Sequence, residues 1–156
     1  AEFTSQGVCN EAFQIGPITV TPIALSHPNM GMGYKFTEDG KTFVFLTDNE
    51  LAHKHHGGLD YDDYLRFSEG ADLLIHDAEY TPEQYTMTKG WGHSLYTDAL
   101  RLAMDAGAKQ FGLFHHNQDR TDAAQDEIVD DCRRIAKGKN AKIKCFALEP
   151  DREITL

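Results

Sequence analysis

The sequence predicts an α/β protein, a mixed sheet with flanking helices, on three observations. Residues from Phe13 to Leu46 have strand texture, with β-branched alternation and a turn signal. From Ala71 onward, apolar strand runs alternate with segments whose apolar residues recur at helical spacing. Hydrophobic residues make up 40% of 156 positions, enough for one ordinary core and far from a disordered composition. A single domain over residues 1–156 is therefore expected.

Taken in order, "ITVTPIAL" alternates as a half-buried strand does, and "GYKFTEDGKTFVFLTD" sets a Glu38-Asp39-Gly40 turn between two apolar runs, which predicts a hairpin. The stretch "NELAHKHHGGLD" is polar and Gly-containing and reads as a loop, within which "AHKHHGG" is expected to be solvated and flexible, with stray metal affinity as the alternative. "DYDDYLRFSEG" then places Tyr61, Tyr64, Leu65 and Phe67 at helical spacing before a Gly stop. "ADLLIHD" is a continuous strand run. After it, Thr81 is the expected N-cap of a helix with Pro82 at its first position. A further helix from Ser94 to about Ala106 carries Leu95, Ala99, Leu102, Ala103 and Ala106 on one face, with Gly107 as its stop. "KQFGLFHH" reads as a strand, about Thr121 to Lys137 as a helix, and "AKIKCFAL" as the last strand.

Composition narrows the function classes. The formal charge of −10, from 25 acidic and 15 basic residues with no basic stripe, argues against a long nucleic acid as partner. Cys9, Cys132 and Cys145 are odd in number and widely spaced, unlike a disulfide framework or a zinc knuckle, so a reducing compartment is expected. No run approaches the length of a membrane span, and the opening residues lack a basic segment and an apolar run. The expectation is a soluble, cytoplasmic protein with no membrane partner.

Several apolar runs end in a group able to bind metal or move a proton: "IALSH" in His27, "FVFLTD" in Asp48, "LLIHD" in His76 and Asp77, and "FGLFHH" in His115 and His116. Any one of these is most simply a polar residue following a buried strand. Four together point to a cluster, because strands fix geometry while their ends supply chemistry, and His and Asp are the ligand types of a catalytic divalent metal.

These residues resemble, in order from about Ile18 to Arg120, the C-terminal half of a metallo-β-lactamase-fold hydrolase of the ribonuclease Z and phosphodiesterase branch. "LSHPNMGMGYKF" is similar to that family's His segment ending in Gly-Tyr, and "FLTDNE" to its Asp-bearing strand end. "LLIHDAEYT" is similar to its His-Glu-Ala-Thr motif, and "GWGHSLYTDALRLAMDAGAKQFGLFHHNQ" to its His-Ser-Thr motif and last metal-binding strand. The resemblance implies half of an αββα sandwich. It also implies that His27 and His115 each bind one of two metals, that Asp48 bridges both, and that His93 meets the substrate phosphate or its leaving oxygen. Asp77 stands where the family has Glu and would orient His93. His76 and His116 read as supporting groups behind the site. Zinc is the first expectation for such ligands, with manganese or iron as alternatives.

The sequence departs from the family in one respect: it contains no His-x-His-x-Asp-His run, which supplies four ligands there. The nearest segment, with His53, His55 and His56, follows Asp48 instead of preceding it. Two readings result. In one, the chain is the C-terminal half of a dinuclear phosphodiesterase acting on a small phosphodiester, inactive alone and prone to self-association or to pairing with the missing half. In the other it is a truncated or degenerate, non-catalytic half-domain that acts as an association or binding module.

Overall fold

The computed structural model describes residues 11–156 and contains one seven-stranded sheet. Its strands lie side by side in chain order: β1 (Phe13–Ile15), β2 (Ile18–Ala24), β3 (Met32–Glu38), β4 (Lys41–Leu46), β5 (Leu73–Asp77), β6 (Gln110–Phe114) and β7 (Lys144–Ala147). The first four are antiparallel and the last four parallel, so the predicted mixed sheet is present. The β3–β4 hairpin turns through Asp39 and Gly40, both at positive φ (+47° and +75°), the twist that two-residue hairpins favour.

Parallel strands need crossovers, and these are α1 (Tyr61–Ser68) between β4 and β5, α2 (Pro82–Thr88) and α3 (Tyr96–Asp105) between β5 and β6, and α4 (Asp122–Gly138) between β6 and β7. Each step moves the same way across the sheet, so right-handed crossovers place the helical layer on one face. Alternation along the strands separates two faces accordingly. Val44, Leu46, Leu74, Phe111, Leu113 and Cys145 point into the core with Tyr64, Leu100, Leu102 and Val129 of the helices. Leu73, Ile75 and Phe146 point the other way with Phe43, Phe45 and Phe114; among the described residues, the C-terminal Leu148 and Ile154 pack there and no helix does. This is one sheet and one helical layer of the expected sandwich.

Two helix starts follow from their caps. Thr81 opens α2 through a reciprocal capping box with Gln84, and the Thr121 hydroxyl accepts from the Ala124 amide at the start of α4. The third start differs from the sequence prediction: α3 begins at Tyr96, because Leu95 bridges to Tyr80 and the Ser94 hydroxyl donates to the Asn49 carbonyl. Cys132 and Cys145 are buried free thiols, and burial pushes the Cys145 thiol up to about 11; Cys9 lies outside the described residues. No described helix is long and apolar enough to cross a membrane.

Candidate metal centre

The carboxyl ends of β2, β4, β5 and β6 converge on one edge of the sheet, and the residues singled out at strand ends meet there. Asp48 and His115 are each the second residue past the end of β4 or the first past β6, and both adopt the left-handed backbone region, at φ +52° and +54°. Non-glycine residues rarely do so, and strain of this kind collects where side chains must be aimed. His115 Nε2 lies 3.5 Å from Asp48 Oδ1. Asp48, His93 and His115 offer ligand atoms all within 4.8 Å of one another.

His93 is held from behind. Its Nδ1 donates to Asp77 Oδ2 at 2.6 Å, so the shorter Asp still reaches the imidazole. Burial pushes His93 down, but the hydrogen bond and charge of Asp77 outweigh it and leave the imidazole above its ordinary value. The His93 and His115 rings stack with centroids 4.2 Å apart, and His27 meets the edge of His93 at 5.4 Å. His27 is lowered by burial and then by the neighbouring His93. The structure thus brings His27, Asp48, Asp77, His93 and His115 together, with His93 and not His27 as the third member of the tightest donor group.

Glu79, to which sequence reasoning gave no role, enters the same space. Its Oε2 lies 3.1 Å from His115 Nδ1 and 3.6 Å from His93 Nδ1, and Asn117 Nδ2 donates to its Oε1. The contact with His115 Nδ1 is an ion-pair approach whose angle falls short of a hydrogen bond. This carboxylate is the leading cause that pushes His115 up to about 9, against the effect of burial. A third carboxylate in a cluster of imidazoles suits a cation there, and the His and Asp donor types fit a divalent metal of the transition series. Beside His93 and His115 opens a cavity of about 480 Å³, lined also by Glu79, Trp91 and Asp119.

Asn49 was also unmarked by the sequence. Its side-chain carbonyl accepts from the Ser26 amide at 2.8 Å, its Nδ2 donates to His76 Nε2 at 3.1 Å, and its own amide donates to Asp77 Oδ2 at 3.3 Å. One asparagine therefore ties the ends of β2, β4 and β5. The expectation of a solvated, flexible loop over Ala52 to Gly58 is corrected at His55. That side chain is 9% exposed and donates from Nε2 to Glu50, and its backbone is pinned through Ser26, while His53 and His56 are exposed. The Pro28–Met32 stretch bends through Met30, exposed and at φ +59°, before Met32 opens β3.

A mixed sheet, one helical layer and a His/Asp cluster at the strand ends define the metallo-β-lactamase class of fold. The chain belongs to the β-lactamase superfamily, whose domain description matches residues 6–116. The chain is 32% identical over 100 residues to ribonuclease Z of Haloarcula marismortui, which covers 64% of this chain and 29% of the relative. It is 30% identical over 100 residues to the probable metallo-hydrolase YhfI of Bacillus subtilis, covering 64% and 36%. The crystal structure of that YhfI superimposes with a TM-score of 0.69 at 21% identity, over 90% of this chain and 50% of the other. The matches thus span about a third of the curated relatives' length and half of the solved one.

Proposed function

We propose that this chain carries one half of the dinuclear site of a metal-dependent phosphodiester hydrolase. The observation that supports the reading is the Asp77–His93 pair, joined at 2.6 Å, standing against the Asp48–His115 pair, with Asp77 on β5 between the strand ends that carry Asp48 and His115. Asp48, His27 and His115 would hold the metals, with zinc first and manganese or iron as alternatives. When bound, the metals supply Lewis acidity toward a phosphoryl oxygen and a water. The chain's own residues do the rest. Asp77 fixes the His93 ring through Nδ1 and stabilises its cationic form, which leaves Nε2 as the proton donor to the leaving alkoxide. His76 supports this arrangement from behind through Asn49 and the Asp77 carbonyl, while His116 bonds to the Leu113 carbonyl and lines the cavity.

The substrate proposed is a small phosphodiester. The relatives named ribonuclease Z favour RNA, but the chain carries a net charge of −10 and its cavity beside His93 is lined by Glu79 and Asp119 without a Lys or Arg. A second reading, in which His93 is itself a ligand, is favoured by its place in the tightest donor group.

By this reading each metal keeps two ligands from these residues, one imidazole and the shared Asp48, where a catalytic zinc takes three. The 156 residues alone are expected to lose metal on dialysis and to leave bis(p-nitrophenyl) phosphate intact. The same residues joined to the four-ligand segment should hold two metals and turn over. In that complete protein, His93→Ala should lower turnover by about 10²–10⁴-fold at unchanged metal content. Loss of metal from the variant would make His93 a ligand. Absence of any hydrolysis in the metal-loaded complete protein would favour the non-catalytic association module.

A further inference from the structure

Glu50 is an acidic residue with 1% exposure, two positions past Asp48, that is not a member of the donor group. Its two oxygens take four donors. Oε1 accepts from the Tyr85 hydroxyl at 2.6 Å and the Gly90 amide at 2.7 Å, and Oε2 from His55 Nε2 and the Gly92 amide, each at 2.8 Å. These donors come from three segments: the loop after β4, helix α2, and the turn that leads into His93. A buried carboxylate is costly, and an apolar side chain would fill the same space with less desolvation, so bare packing does not account for it.

The turn it grips cannot set its own shape. Gly90 and Gly92 lie at φ +88° and +106°, and glycine at such positions is permitted many alternatives. Gly92 also lies directly on His27: a Cβ there would stand 2.2 Å from His27 Cδ2 and 2.6 Å from Pro28 Cδ. The next residue is His93, whose Nδ1 must reach Asp77. The placement of the two glycine amides therefore decides both how His27 meets His93 and whether His93 meets Asp77.

We propose that Glu50 is a positioning residue: its carboxylate clamps the Gly90–Gly92 turn against His27 and so holds His93 in line with Asp77. The role rests on the reading of His93 as the proton donor, but the clamp itself can be observed without turnover. Trp91, the single tryptophan of the chain, sits between the two gripped glycines with 62% of its surface exposed, so its fluorescence reports on the turn.

The decisive variant is Glu50→Gln. It keeps the volume, but its amide nitrogen cannot accept, so either the Gly90 or the Gly92 amide loses its partner whichever way the amide faces, while the Tyr85 hydroxyl or the His55 ring beside it can turn to accept instead. The 156-residue variant should keep its far-UV circular dichroism while Trp91 anisotropy falls and the low-field proton between His93 and Asp77 broadens or disappears. In the complete protein, kcat on bis(p-nitrophenyl) phosphate should fall about 10–100-fold with KM and metal content held, as for other groups that orient a catalytic shell. Should Glu50→Gln fail to fold, Tyr85→Phe removes one donor and leaves the carboxylate, and a smaller fall in Trp91 anisotropy is expected. Unchanged anisotropy and an unchanged His93 proton in the folded variant overturn the clamp, as does a lower melting temperature with both signals intact. A loosened turn in a protein that hydrolyses no phosphodiester leaves the clamp standing and removes the proposed activity instead.

Discussion

His76 is wholly buried at the end of β5, and its neighbours fix its proton. The Asn49 side-chain carbonyl is committed to the Ser26 amide, so Asn49 presents its NH₂ to His76 Nε2, which must accept; Nδ1 therefore carries the hydrogen and donates to the Asp77 backbone carbonyl at 2.7 Å. Protonation would set an N–H against that NH₂. Burial, the leading cause, lowers His76 below its ordinary 6.5, although the Asp77 carbonyl and charge act the other way. The unfolded chain therefore binds a proton here below about pH 6.5 that the folded chain refuses. Stability is fully present above that pH and falls as acid is added, by up to about 1.4 kcal/mol per pH unit for this one proton. Urea unfolding of the apo chain from about pH 7 down to pH 5 should show this slope, and His76→Gln should flatten it. An equal slope in the variant would assign the effect to another group, with His27 and His116 lowered in the same direction by burial.

At the scale of elements, the site depends on strand ends being locked to one another, and Asn49 does most of this. Asn49→Ala would leave the Ser26 amide and His76 Nε2 buried without partners, at about 1–3 kcal/mol for each. The expected result is a loss of that summed size in urea unfolding, with metal affinity of the complete protein weakened because His27 follows Ser26 and Asp48 precedes Asn49. A loss below about 1 kcal/mol would mean that water replaces the amide. Element type was legible in the sequence, since the periods of two and 3.6 separate strands from helices and Thr81 and Thr121 mark helix starts. The start of α3 was not, because Ser94 and Leu95 have ordinary helical spacing but are drawn out by Asn49 and Tyr80.

Over the whole molecule, consecutive right-handed crossovers place the helical layer on one side and leave a second apolar face. Phe36 and Phe43 stack there at 5.3 Å, and Phe45 meets Phe114 edge-on at 5.3 Å, with only partial cover among the described residues. An apolar sheet face of this kind seeks a partner. The isolated chain is expected to bind an apolar dye and to sediment as a dimer or larger species at micromolar concentration. A compact monomer without dye binding would count against this, and Phe43→Lys should reduce both signals without unfolding the chain if the face is responsible.

The sequence by itself determined the alternation of strands and helices, the Asp39-Gly40 turn, and the delivery of His27, Asp48, Asp77 and His115 to strand ends, because each is written in local periodicity or motif order. Only the tertiary structure decided which groups hold them there. Asn49 and Glu50 looked like ordinary loop polars, and His55 like part of a solvated loop. Their partners lie far along the chain, with 27 residues from Asn49 to His76 and 42 from Glu50 to Gly92. A hydrogen bond across such a distance exists only once packing has excluded water from both groups and left each with a single neighbour to satisfy it.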